Sequence, residues 1–258
     1  MQQDENKWDS PQLPQRKKYE VLGPIERWMV PLLGDAIEAA ITNHAQRSSS
    51  RTCLDVGCGS QPWRSLLEEL GFAYEGMDFN QNFEGTVQHL AAIDVSLPAS
   101  LQGRQFDFVL CTEVLEHVPR WPEAFGNLST LLAPGGKLLI TAPHIWLPHE
   151  EPADFFRPTS LGIQYHAQSV GLRTVELTRL GSGYDVLSTA LAAVTMRLKP
   201  SPLARPIRML PRFFARQLLK LLQTNAMRRH VELQTDLYLS TLAVFEKPRQ
   251  PTIGRQEQ

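Results

Sequence analysis

The sequence predicts an α/β protein: a doubly wound sheet of seven strands, mostly parallel, with helices on both faces. Two observations carry this. From Arg51 onward, apolar runs of strand length alternate with helix-length amphipathic segments, and the first run ends in a glycine turn. The chain has 258 residues, 42% hydrophobic and 21% charged, which is enough for one large domain with a substantial core. Strands alternating with helices require crossover connections, and these place strands parallel.

The elements follow in order. Residues 1–18 are polar with two prolines and read as a flexible tail. Residues 24–46 carry apolar side chains at helical spacing (Ile25, Trp28, Met29, Leu32, Leu33, Ile37, Ile41) and predict one helix, or two broken at Pro31 or Gly34. RTCLDVGCG is a strand entering a glycine turn, and PWRSLLEELG a short helix stopped by Gly71. FAYEGMDF, TVQHLAAIDV and QFDFVLCTEV are the next three strands. A helix follows over RWPEAFGNLSTLLAPGG, ending at Pro-Gly-Gly, and then the strand KLLITAPH. Residues 158–170 predict a helix, LRTVELTRL a sixth strand and DLYLSTLAVFEK a seventh. The domain then covers 19–185 and 232–248, interrupted by a basic helical insertion over 186–231, with a tail from 249 to 258.

Composition excludes several classes. A net charge of −1 gives no global reason to bind nucleic acid. No apolar run is long enough for a spanning helix, and the N-terminus lacks the apolar centre of a secretory signal. Three cysteines make no disulfide framework, so a reduced, cytoplasmic protein is expected.

LDVGCGSQPW is the most informative stretch. Gly57 and Gly59 after Asp55 let a ligand approach the backbone, because glycine has no Cβ in the way. A dinucleotide is disfavoured: the fingerprint needs a third glycine where Pro62 stands, and there is no P-loop. Asp78 ends the second strand about 20 residues on, where an acid accepts hydrogen bonds from ribose hydroxyls. Asp94 ends the third, within reach of an adenine amino group. Each acid has a plainer reading as a strand-end cap; three of them beside one glycine turn favour a nucleoside.

LDVGCG, YEGMD, AAID, FDFVLCTEVLEHV and LAPGGKLLITAP, in that order over roughly residues 50–180, resemble the class I S-adenosylmethionine-dependent methyltransferases. GCGSQPW and HEEPADFFR are similar to motifs of a subgroup (methyltransferase type 11-like) associated with polysaccharide and envelope glycan biosynthesis. The resemblance implies a Rossmann-like sheet with an antiparallel last strand and S-adenosylmethionine as cofactor. It also implies site roles. Asp55, Gly57, Cys58 and Gly59 cradle the methionine part. Asp78 and Phe79 hold the ribose, Asp94 with Ile93 or Val95 faces the adenine, and Glu113 and Val114 line the sulfonium.

Methyl transfer to a hydroxyl needs alignment and a base. His117, beyond the fourth strand, is the first candidate, with helix capping as its plain alternative. His144 follows the fifth strand, and His149, Glu150, Glu151, Asp154 and Arg157 follow within one loop where an acceptor enters. His144 and Asp154 are further catalytic candidates; His149 and Arg157 are candidates for binding the acceptor. Asp154 and Arg157, three apart, are expected to pair on a helical turn, whether to serve chemistry or to clamp the loop. A metal set of His144, His149 and Glu150 has no diagnostic spacing, so no metal is expected.

Between Val186 and Val231 there is no Asp or Glu, against nine Lys and Arg. Within residues 203–222, Arg205, Arg208, Arg212, Arg216 and Lys220 fall in an arc of about 120°, opposite Ile207, Leu210, Phe214, Leu218 and Leu221. Such a helix suits an anionic membrane surface at the inner face of a membrane. The alternatives are a solvated face or a homodimer interface; nucleic acid is disfavoured for lack of a stacking platform.

The favoured reading is O-methylation of a sugar in a glycan or lipid-linked saccharide. The alternatives are methylation of a quinone or other small lipid, and a non-catalytic S-adenosylmethionine-binding subunit.

Overall fold

The computed structural model describes residues 19–23, 25–45, 51–196, 213–214, 217–218, 220–221, 224–230 and 236–249. Its centre is a seven-stranded sheet in the order β3-β2-β1-β4-β5-β7-β6. The strands are β1 (Thr52–Val56), β2 (Ala73–Asp78), β3 (His89–Leu90), β4 (Phe106–Thr112), β5 (Leu132–Pro143), β6 (Arg173–Leu180) and β7 (Ser240–Glu246). Neighbours from β3 to β5 run parallel, and β7 runs antiparallel to both β5 and β6.

Alternation along the strands builds the core on two faces. Leu54 and Val56, with Val109, Cys111, Leu138 and Ile140, face α3 (Trp121–Leu131) and α4 (Ser160–Ser169). Cys53, Phe108, Leu110, Leu139 and Val244 face α1 (Met29–His44) and α2 (Arg64–Glu69). Strands buried on both faces read as near-continuous apolar runs, as β4 and β7 do. The three cysteines are free and buried.

Several expectations need correcting. Of the two alternatives for 24–46 the single helix holds, but α1 begins only at Met29. Pro31 falls in its first turn, where an amide N–H has no intrahelical partner to lose. A Cβ on Gly34 would stand 3.2 Å from Tyr19, so this glycine admits the incoming chain. The third strand is only His89–Leu90, because it lies at the sheet edge with a single neighbour. α3 stops at Leu131 rather than at Pro-Gly-Gly. Leu132 already pairs with Phe106, and Gly136 sits so close to the carbonyls of Ala133 and Phe106 that a Cβ would lie 2.8 and 2.9 Å from them.

α5 (Gly183–Met196) crosses the expected boundary at residue 186. Most of the basic arc, Arg205, Arg208, Arg212 and Arg216, lies outside the described residues, as do nearly all of both tails. Where the apolar face is described, Phe214, Leu218 and Leu221 are exposed. Among the described residues no helix is long and apolar enough to cross a membrane.

Candidate functional site

The site forms at the carboxyl ends of β1, β2 and β4, where strand order reverses in an open sheet. Gly57 and Gly59 both take left-handed conformations, with φ of +69° and +47°. The Gly57 and Cys58 amides donate to Met77 O at 2.8 and 3.1 Å, tying the bend to β2. Asp78 then closes the turn: Oδ2 accepts from the Gly59 amide at 2.8 Å and Oδ1 from the Asn80 amide at 3.0 Å. Asn82 adds Nδ2–H to Gly59 O at 3.1 Å. Sequence reading missed Asn82, which no local signal marks.

The other expected cofactor residues divide into those that face the bend and those beneath it. Cys58 turns its thiol inward: a Cβ on Gly76 would lie 2.7 Å from its Sγ, so only its backbone lines the bend. Asp55 is buried, and Oδ2 accepts from the Tyr74 hydroxyl at 2.7 Å. Burial pushes its carboxyl up to about 7, against the lowering effect of that hydrogen bond. Asp94 is buried, and its Oδ2 takes Nε of Arg120 at 3.3 Å. Phe79 and Val95, at the tips of the same region, expose apolar side chains (54% and 39%).

Glu113 is the most constrained residue of the site. It holds φ of +54°, a conformation that costs a non-glycine residue free energy and concentrates at functional positions. Its amide donates to both Thr141 O and Thr141 Oγ1 at 3.1 Å, and its Oε1 accepts from Ser240 Oγ at 3.4 Å. Burial raises its carboxyl to about 7. Tyr19, just past the expected tail, lies near it: Glu113 is among the groups that push the Tyr19 phenol up, after burial itself. The Tyr19 ring sits 5.0 Å from that of Trp63. Nothing in the polar N-terminus signals this approach, which only the packing of α1 creates.

Below Glu113, the turn Leu115–His117 meets the loop after β5. Glu116 O accepts from the Phe155 and Phe156 amides at 2.8 and 3.2 Å, stitching the two segments together. His117 Nδ1 lies 2.6 Å from Ala153 O; a carbonyl only accepts, so Nδ1 carries a proton and donates it. Nε2 stands 3.8 Å from Glu116 Oε1 and 3.6 Å from Glu150 Oε2. His149 packs edge-on to His117 at 4.9 Å, with its Nε2 4.0 Å from Glu116 Oε1. Burial holds the His149 pKa below its ordinary value. Glu116 is fully buried and is pushed well above the carboxylate range, first by burial and then by Glu113.

Asp154 and Arg157 do pair, through Nη1 to Oδ1 at 2.6 Å and Nη2 to Oδ2 at 2.7 Å. They do so in an irregular loop and not on a helical turn, because Arg157 also grips the carbonyls of Trp146, Leu147 and Phe156. Burial raises the Asp154 carboxyl, but Arg157 and the His149 amide outweigh it and leave it below its usual value. The pair is therefore a loop clamp that reaches His149 through Asp154 Oδ2.

His144 stands apart. It stacks on Tyr238 at 4.2 Å and bonds to Pro158 O, while the group of potential ligands comprises Glu116, His117 and His149. The triad weighed from spacing (His144, His149, Glu150) is thus not the one the fold assembles. Glu116 was missed outright; an acid inside the apolar run around Cys111–Val118 was its only trace in the sequence.

A bend that a Cβ would fill, an acid closing it at the end of β2, and exposed apolar side chains beside that acid fit an adenosyl ligand without a pyrophosphate. With this fold they define a site of the kind that S-adenosylmethionine-dependent methyltransferases carry. A family model described as a methyltransferase domain matches residues 26–225, and the chain belongs to that family.

Relatives agree at this level. The chain is 28% identical to a ubiquinone biosynthesis O-methyltransferase of Coxiella burnetii, over 48% of this chain and 64% of that protein. It is 32% identical to the protein of the same name from Burkholderia multivorans, over 38% and 46%. The chain thus spans less than two thirds of the curated relatives it matches. Among solved structures, a SAM-dependent methyltransferase from Archaeoglobus fulgidus superposes with a TM-score of 0.50 at 16% identity, over 83% of this chain and 94% of that one. The [4+2]-cyclase SpnF gives 0.54 at 14% identity, over 84% and 82%. Likeness at that identity speaks for the fold alone, which hosts more than one chemistry.

Proposed function

We propose that the protein methylates a hydroxyl oxygen on a quinone-type aromatic ring. The observation that carries the oxygen chemistry is His117, fixed through Nδ1 to Ala153 so that its basic Nε2 faces the rim beneath the acceptor loop. A hydroxyl must shed a proton as it attacks, and a positioned base contributes typically 10²–10⁴-fold. Bound at the bend, the cofactor supplies an electrophilic methyl on a cationic sulfur. Glu113 sets a carboxylate beside that cation, and Asp78 and the Gly57–Gly59 backbone fix its position. The Arg157–Asp154 clamp holds the loop that keeps bulk water from the rim.

The quinone-type acceptor is supported by the printed names of the relatives and by ring surface at the loop, where Phe156 is exposed and packs against Trp121 at 5.5 Å. The glycan reading rests on the GCGSQPW and H-E-E-P-A-D-F-F-R motifs. Residues 203–222 fit the same picture: a basic arc opposite apolar residues would hold the enzyme at an anionic membrane where a lipid acceptor resides. Radiolabelled methyl transfer to lipid extracts and to glycan fractions, followed by mass spectrometry, separates the two. Label confined to the glycan fraction would replace the quinone reading.

A further inference from the structure

We infer that Glu116, His117 and His149 form a binding site for a divalent transition-metal ion at the rim of the cofactor pocket. Its role toward an acceptor rests on the O-methylation reading; its existence does not.

Glu116 is the first reason. Its side chain is 0% exposed, and neither carboxylate oxygen has a hydrogen-bond partner. Leaving a buried acid unpaired is costly in either protonation state, and buried charges are normally paired or bound to metal. Arg157 favours the Glu116 carboxylate electrostatically but makes no hydrogen bond to it, because both its terminal nitrogens are held by Asp154. The histidine nitrogens at 3.8 and 4.0 Å are too far for hydrogen bonds to Glu116.

The second reason is how the imidazoles are presented. His117 donates Nδ1–H to a backbone carbonyl and turns Nε2 inward, the outer-shell arrangement that orients metal-bound histidines. His149 Nδ1 lies 3.3 Å from Leu147 O and 3.2 Å from Arg157 Nη2; a metal on Nε2 requires the tautomer that donates Nδ1–H to Leu147. The three donor atoms lie within 4.8 Å of one another. Donors about 2.0–2.2 Å from a tetrahedral ion stand about 3.3–3.6 Å apart; the Glu116–histidine distances of 3.8 and 4.0 Å are close to this, and the remaining pair closes by side-chain rotation. Glu150 Oε2, 3.6 Å from His117 Nε2, is within reach as a fourth donor. Two imidazoles with one carboxylate favour zinc, manganese, iron or cobalt over magnesium or calcium, which prefer all-oxygen shells.

The position gives the ion work to do. Glu116 lies three residues beyond Glu113, the acid proposed to face the cofactor, so an acceptor oxygen on the ion would be close to the cofactor site. With Nε2 on the ion His117 no longer serves as the base; the metal would acidify that hydroxyl instead, and its proton would leave to solvent. The oxygen then bonds to the methyl carbon as the carbon–sulfur bond breaks, and sulfur keeps the electron pair.

The test uses the full chain, stripped with a chelator and titrated with Zn²⁺ by calorimetry and with Co²⁺ by visible absorption. One ion per chain is expected. Glu116→Gln and His149→Ala should each weaken uptake at least about tenfold, with cofactor affinity and far-UV circular dichroism unchanged. His149 is partly exposed on the loop, so its variant stays informative if Glu116→Gln does not fold. No stoichiometric uptake by the wild type, or equal affinity in the His149 variant, overturns the site. Methyl transfer measured on the same samples is a separate readout: uptake intact with no O-methylated product would sink the acceptor reading and leave the metal site standing.

Discussion

Gly57 and Val114 meet so closely that a Cβ on the glycine would stand 2.3 Å from Val114 Cγ2. The end of β1 and the segment after β4 thus share one small volume, and the cofactor bend is built on that contact. Gly57→Ala combines the clash with a left-handed φ, and should cost about 2 kcal/mol or more of stability while abolishing cofactor binding. Adding Val114→Ala removes the clash but not the φ penalty. The double variant should therefore recover part of the melting temperature; a double variant no more stable than Gly57→Ala would contradict this packing.

Asp78 serves the turn as well as the ligand. Asp78→Ala removes the acceptor for the Gly59 and Asn80 amides, and hydrogen bonds to charged groups are worth about 1.5–3 kcal/mol. Calorimetry should show cofactor affinity down at least tenfold and a lower melting temperature. Loss of affinity with full thermal stability would mean that the turn does not depend on it.

Cofactor binding should strengthen with pH. Asp55 and Glu113 are both raised to about 7 by burial, so in the free protein their neutral forms persist nearly to neutrality. The sign for folding follows: their contribution is full below about pH 4 and is lost as pH rises through about 7. A cationic ligand reverses the preference, because it favours the carboxylates. Affinity should therefore rise from about pH 6 to about pH 8, and Glu113→Gln should flatten the rise. A flat profile in the wild type would refute it.

Arg157 should act through the loop. Arg157→Ala frees Asp154 and three backbone carbonyls, and Arg157→Lys cannot restore a two-pronged grip. Hydrogen exchange should rise across residues 147–158, with the acceptor KM raised several-fold and cofactor affinity unchanged. An altered cofactor affinity would place the residue elsewhere in the mechanism.

For residues 203–222, flotation with vesicles containing anionic phosphatidylglycerol should carry the protein upward, and neutral vesicles should not. Replacing Arg205, Arg208, Arg212 and Arg216 by Gln should abolish the difference. Equal flotation on both vesicle types would remove the membrane role.

Order and type of most elements were legible because strand and helix periods are local properties of the chain. The glycine bend and Asp78 were legible for a similar reason: a side-chain-free turn and an acid at a strand end leave marks within a few residues. What local reading lacked was competition between neighbours. It extended the third strand past Leu90 and carried α3 to Pro-Gly-Gly, because neither edge position nor the pairing of Leu132 with Phe106 is visible along the chain.

The class of fold and the glycine bend with its acid could be read from the order of residues, since spacing along one chain is enough to specify a strand, a turn and an acid at its end; the family came from the resemblance of its motifs. The partners of Glu113, the pairing of Asp94 with Arg120 and the meeting of Glu116 and His117 with His149 could not. Each joins segments many residues apart, and which side chains face one another there depends on how two loops pack over the sheet.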